Sequence, residues 1–174
     1  MYDMEFESRA DVSVGEYLAM IEKKTAVLFA GAARIGAVVA GADEATAAKL
    51  YEFGNHLGMA FQLQDDLLDT YGDPQTFGKN LGGDIMANKK TFLLIKAAEL
   101  STGDLKTELE RWIAGTEFDP AEKFEGVKEI YHRTGVRELA EKRLDEYFSQ
   151  ATEILDSLEV PEERKSLLRN ITRI

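Results

Sequence analysis

The chain has 174 residues, 44% of them hydrophobic and 30% charged, and a net charge of -11; this is one domain's length, with enough apolar material to bury a core. The negative charge repels phosphate backbones and anionic lipid heads, so neither nucleic acid nor a membrane surface is an expected partner unless cations intervene. The absence of cysteine excludes disulfides, thiolate metal sites and cysteine nucleophiles, and it suits a reducing compartment, so the expected location is the cytoplasm.

The opening MYDMEFESRAD has neither the basic region nor the apolar stretch of a signal peptide, and no export is expected. The most lipid-like run, 26–42, is too short for a stable membrane span and is interrupted by Arg34; it reads as a buried helix rich in small residues. Proline is scarce, β-branched alternation is nowhere sustained, and apolar spacings of three and four recur, which predicts an all-α chain. Ser13 and Glu16 form a capping-box pattern that opens a helix running to about Gly41, and Asp43 caps the next. That second helix is predicted over 44–71, where Gly72-Asp73-Pro74 stops it, since proline cannot supply the amide a continuing helix needs. The stretch 72–88 carries glycines and no helical period, which predicts a loop, and long ordered loops are often functional. Helices are expected again over 89–100, 104–114, 120–134, 136–158 and 161–172, with Asp119 as an N-cap and Pro120 in the first turn behind it. In 136–158, Leu139, Leu144, Tyr147, Phe148, Ile154 and Leu155 stand against charged residues, the pattern of an outer amphipathic helix. With no internal repeat and no linker, 1–174 reads as a single domain.

At about 100° per residue, Asn55, Gly58, Gln62, Asp65, Asp66 and Asp69 fall within an arc of roughly 100° on the second helix. The flanking Leu57, Phe61, Leu63, Leu67 and Leu68 imply a helix largely surrounded by protein, with its polar stripe facing a cavity. Carboxylates on one such face repel each other and raise one another's pKa unless a cation sits between them. Magnesium suits the arrangement, because it takes oxygen ligands and is commonly shared between carboxylates and a substrate's phosphates. Zinc lacks a His or Cys cluster here. The plainer alternative is that DDLLD is a solvated face of an acidic protein; the apolar flanks favour the site.

Lys24-Thr25 lies on the first helix, where Lys24 shares its face with Tyr17, Ile21, Leu28 and Gly31. An ammonium there either snorkels to water or meets an anion. In FGKNLGGDIMANKK, glycines expose backbone amides and Lys79, Lys89 and Lys90 stand near Asp84, a combination able to cradle phosphate although it lacks the P-loop pattern. Its place directly after the aspartate stripe favours one shared site. His56 and His132 are isolated and receive no role, and Arg34 and Trp112 belong to no constellation.

At Phe61-Gln62-Leu63-Gln64-Asp65-Asp66-Leu67-Leu68-Asp69, followed by Gly72-Asp73-Pro74, Gly78-Lys79, Gly82-Gly83-Asp84-Ile85 and Asn88-Lys89, the chain resembles trans-prenyl diphosphate synthases at their second aspartate-rich region. Asp3-Met4-Glu5 and Lys24-Thr25 resemble that family's segments just upstream, so the likeness covers about residues 2–95. The resemblance implies an all-α helical bundle around a deep cavity, the C-terminal half of the isoprenoid synthase fold. It implies that Asp65, Asp66 and Asp69 hold magnesium bound to an allylic prenyl diphosphate, with Asp84 supporting that shell. Lys24, Lys79 and Lys89 are then the partners of the diphosphate oxygens, while Thr25 and Gln62 line the cavity near the reacting carbons. The implied reaction is ionisation of the allylic diphosphate, attack by isopentenyl diphosphate, and proton loss to diphosphate. The family's first aspartate-rich motif and the basic residues that would hold isopentenyl diphosphate are not found, and Met1 stands where the family usually has glutamine. No turnover is therefore expected of this chain alone. The alternative is a non-catalytic helical module that assembles with itself or with a separate N-terminal half, since missing helices leave apolar surface and make a homo-oligomer the expectation. A terpene cyclase is less apt, because it would not be expected to keep Lys24-Thr25 together with the 78–84 loop.

Overall fold

The computed structural model describes residues 6, 9, 11–73 and 81–172, and every regular element among them is helical. The capping box forms as read: the Glu16 amide donates to Ser13 Oγ at 3.2 Å and the Ser13 amide to Glu16 Oε2 at 2.9 Å. It opens α1, Val14–Ile21, which passes into a π-helical turn, Glu22–Ala26, and then α2, Val27–Val39. The predicted first helix is thus one run with a widened turn in its middle. It stops at a left-handed Gly41, φ 81°, where the Ala42 amide reaches back to the Ala37 carbonyl at 3.0 Å and satisfies one of the last carbonyls.

Asp43 Oδ1 accepts from the Thr46 amide at 2.8 Å and starts α3, Glu44–Tyr71, with the bounds expected. The stretch predicted as loop contains a short helix, α4, Gly83–Met86. Its entry needs Gly82 at φ 82°, where a Cβ would lie 2.4 Å from the Phe124 ring. The next helix, α5, is Phe92–Leu100 rather than 89–100, because Thr91 Oγ1 caps it by accepting from the Leu94 amide at 3.3 Å. Then come α6, Gly103–Ala114, and α7, Pro120–Thr134. Asp119 Oδ1 takes the Ala121 and Glu122 amides at 2.9 and 3.2 Å, the cap expected ahead of Pro120. A left-handed Gly135 leads to α8, Val136–Asp156, and the described chain ends with α9, Glu162–Ile171. None of the described helices is long and apolar enough to cross a membrane.

The chain divides into two compact units, Met1–Tyr17 with Leu63–Glu141, and Leu18–Gln62 with Lys142–Ile174. In the first unit α7 is the hub, packed against by α4, α5 and α6. Trp112 belongs to this core, its ring centroid 4.6 Å from that of Phe118 and so close to Gly126 that a Cβ there would stand 2.5 Å away. The second unit buries Phe53 and Leu57 of α3 against Ala151 and Leu155 of α8 and Leu158 beyond it. Gly54 and Gly58 let α3 approach the preceding helical run: a Cβ on Gly58 would stand 2.5 Å from the Ala26 Cα. Gly58 was expected within a polar stripe facing a cavity; it is a packing residue instead. The run 26–42 was expected to be buried, yet only Ala26, Ala30 and Ala37 are, while Leu28, Ile35, Val38 and Val39 are exposed.

Candidate functional site

Within the first unit, the C-terminal end of α3 carries three carboxylates in three different environments. Asp65 is exposed, Asp69 half-buried, and Asp66 only 2% exposed. The Tyr17 hydroxyl donates to Asp66 Oδ2 at 2.5 Å. Asp66 Oδ1 has no hydrogen-bond partner among the described residues; Lys89 Nζ stands 3.9 Å from it, a long ion pair beyond hydrogen-bond reach. Asp69 organises the start of α4: its carbonyl accepts the Gly82 amide at 2.7 Å and its Oδ2 the Asp84 amide at 2.9 Å. A carboxylate accepting a backbone N–H there also meets the positive end of that turn.

Asp84 and Lys89 pair directly, with Nζ at 3.0 and 3.1 Å from the two carboxylate oxygens. Asn88 adopts φ 49°, a conformation asparagine tolerates better than most residues. Its side-chain Nδ2 donates to the Ile113 carbonyl at 3.1 Å and its Oδ1 accepts from Lys123 Nζ at 2.8 Å. Lys123 is buried, and its other contact is the Met86 carbonyl at 3.4 Å. Sequence reading missed Lys123, whose surroundings in α7 look like an ordinary charged helix surface, and it missed Tyr17 as a partner of Asp66, because the two are far apart in the chain.

Burial pushes the Asp66 carboxyl up to about 7; the Tyr17 hydrogen bond and Lys89 act against that rise, while Asp84 and Asp65 add to it. The sequence suggested mutual repulsion as the cause, and desolvation is the larger one. Burial also raises Asp84, with the Lys89 bond opposing it. For Lys89 burial acts downward, but Asp66, Asp84 and Asp65 outweigh it and hold the ammonium above its usual range. Among the described residues no group of three or more His, Cys, Asp or Glu is gathered closely enough to hold a metal. A cation nonetheless fits the donor chemistry, since Asp66 Oδ1 is a buried hard oxygen left unsatisfied beside an exposed Asp65.

In the second unit, Lys24 and Thr25 occupy the π-helical turn. Such turns are rare and recur at functional sites. Thr25 Oγ1 donates to Gln62 Oε1 at 3.1 Å, so two residues expected to act together are in contact. Lys24 is exposed. Asn55, another member of the stripe, bonds through Nδ2 to Glu22 Oε1 at 3.1 Å. Phe61, expected to flank the stripe within protein, is 50% exposed. Lys79, with Gly78 and the segment at Asp3, lies outside the described residues.

Comparison with known proteins places these features. Residues 1–132 match the family described as Polyprenyl synthetase. The chain is 37% identical over 169 residues to a short chain isoprenyl diphosphate synthase of Methanothermobacter thermautotrophicus, covering 95% of this chain and 50% of that protein. It is 35% identical to a geranylgeranyl diphosphate synthase of Saccharolobus solfataricus, covering 98% and 52% respectively. Among solved structures, a geranylgeranyl pyrophosphate synthase superposes with a TM-score of 0.90 at 42% identity, covering 98% of this chain and 53% of that one. A geranylgeranyl pyrophosphate synthase from Corynebacterium glutamicum, complexed with isoprenyl diphosphate and magnesium, gives 0.87 at 30% identity over 98% of this chain and 48% of its own. The chain thus spans about half the length of the relatives it matches. The all-helical architecture, the ordered run from Gln62 through Asp84 to Lys89 and the match over residues 1–132 lead to one assignment: the chain belongs to the polyprenyl synthetase family.

Proposed function

We propose that this chain supplies the half-site of a trans-prenyl diphosphate synthase that binds the allylic prenyl diphosphate through magnesium. Asp65, Asp66 and Asp69 are the candidate ligands, with Asp84 behind them. The observation that carries this reading is the buried, unsatisfied Oδ1 of Asp66 with a lysine ammonium 3.9 Å away, a place prepared for a cation and its anionic partner. The relative complexed with isoprenyl diphosphate and magnesium supports it. Bound magnesium would neutralise charge developing on departing diphosphate. Lys89 offers its ammonium to diphosphate oxygens, and by their place in the sequence so do Lys24 and Lys79. The contact between Thr25 and Gln62 fixes two polar side chains for orienting the reacting end of the allylic chain. Condensation with isopentenyl diphosphate completes the reaction of the whole enzyme.

Calorimetric titration of magnesium and then pyrophosphate tests the half-site without requiring turnover. Binding that needs magnesium and is lost in Asp65→Ala and Lys24→Ala is the expected result; a folded chain that binds neither overturns the reading. Because the first aspartate-rich motif is not found in this sequence, we expect no prenyl transfer when allylic and isopentenyl diphosphates are supplied to it alone. A measurable rate of product formation by chromatography would sink that expectation.

A second reading rests on a separate observation. Leu28, Ile35, Val38 and Val39 of α2, with Phe61 of α3, are exposed apolar residues in the second unit, which supports a helical module that assembles with itself or with a separate N-terminal half. We read residues 1–174 as one domain, the C-terminal part of such a synthase. A cytoplasmic location is consistent with the cysteine-free composition.

A further inference from the structure

We propose that Tyr17 is the positioning residue of the carboxylate site: its hydroxyl holds Asp66 Oδ2, so that Oδ1 alone is presented to a cation. This rests on the reading of Asp66 as a magnesium ligand.

The terminal torsion of an aspartate is broad, so rotamer preference alone does not decide which oxygen faces which way. In water, solvent would satisfy either oxygen. Asp66 is 2% exposed and must draw its donors from protein, and among the described residues one donor reaches it, the Tyr17 hydroxyl at 2.5 Å. Among the described residues Lys89 Nζ is a competing cation, at 3.9 Å from Oδ1 and bonded to Asp84 at shorter range. With Oδ2 anchored, Asp66 cannot turn toward Lys89 to make a full ion pair. Without the anchor, the carboxylate is at liberty to swing onto the ammonium and take the place where a metal would bind. The hydroxyl therefore keeps the Asp66–Lys89 ion pair long, at 3.9 Å, rather than closed.

Tyr17 is itself firmly placed. It is 2% exposed, in the first turn of α1, and its amide bonds to the Ser13 carbonyl at 3.0 Å. That turn is locked by the reciprocal Ser13 and Glu16 cap and by Arg9, whose guanidinium meets Glu16 Oε1 at 2.7 Å. A tyrosine supplies both the apolar ring this core needs and one donor at its far end. Phenylalanine would fill the same space and leave Asp66 without its anchor.

The experiment measures magnesium affinity by calorimetry, in the presence of pyrophosphate, for the wild-type chain, Tyr17→Phe, Asp65→Ala, and Leu109→Val as a buried variant in the same unit away from the carboxylates. The expected result is a loss of at least tenfold in magnesium affinity for Tyr17→Phe, with Leu109→Val binding as the wild type despite a comparable loss of stability. Equal affinity in Tyr17→Phe and the wild type overturns the role of Tyr17 while leaving the metal site standing. No magnesium binding by the wild-type chain overturns the metal-site reading and this proposal with it, so the two failures are distinguishable. Should Tyr17→Phe fail to fold, the wild type answers by proton NMR. The downfield resonance of the buried, hydrogen-bonded Tyr17 hydroxyl persists at magnesium saturation if it anchors Asp66, and its disappearance overturns the proposal.

Discussion

His56 is half-buried in the second unit, its ring centroid 5.9 Å from that of Tyr147. Burial lowers its pKa, and the nearby Glu52 and Glu22 only partly oppose the shift. A histidine whose folded pKa lies below its unfolded one favours the folded chain while it is neutral. Its contribution is complete above about pH 6.5 and is lost as the pH falls through the lower folded value. In urea melts the unfolding midpoint should therefore drop between about pH 7 and 5, and His56→Gln should flatten part of that drop; an unchanged pH dependence in the variant would remove His56 from the account. The sequence allowed the bland reading of this residue, since no partner spacing accompanied it. It also pointed to Asp65, Asp66 and Asp69 as a set, because helical periodicity is local information. It did not distinguish the buried Asp66 from the exposed Asp65, which depends on Tyr17 and the rest of the first unit.

Helix boundaries set by local caps were legible, and those set by packing were not. Ser13, Asp43 and Asp119 each cap the helix expected of them, because a side chain reaching an amide two or three residues on needs nothing from elsewhere in the fold. The π-helical turn at Glu22–Ala26 and the short helix Gly83–Met86 left no such signal; the second depends on Asp69 accepting amides from Gly82 and Asp84. Close contact between the first helical run and α3 has a direct test. A Cβ on Gly58 meets the Ala26 backbone at 2.5 Å, and backbone cannot rotate aside as a side chain can. Gly58→Val should cost about 2–3 kcal/mol or more of stability by overpacking. Gly31→Ala, with nothing within 4 Å of its Cβ, should be neutral or gain up to about 1 kcal/mol from helix propensity. Denaturant midpoints of the two variants decide it: equal small effects would mean that α3 and its neighbour can separate without cost.

At the scale of the whole molecule, a net charge of -11 opposes self-association while exposed apolar side chains favour it. Val39 is 82% exposed, Leu28 70%, Ile35 66% and Val38 56%, and spacings of three, four and seven put them along one side of α2. The apolar contact is short-ranged and indifferent to salt. The charge repulsion acts over a screening length of about 10 Å at 0.1 M ionic strength and shrinks to about 3 Å at 1 M. Association should accordingly rise with both protein concentration and ionic strength, the opposite of what a contact built on ion pairs would do. Light scattering across a salt series reads this directly, and the double variant Leu28→Glu with Ile35→Glu should stay monomeric throughout, because it places carboxylates within the apolar stripe. If the wild type remains a monomer at high concentration and high salt, α2 is not a self-association surface. If it associates more strongly at low salt, charge pairing rather than the apolar face of α2 holds the copies together.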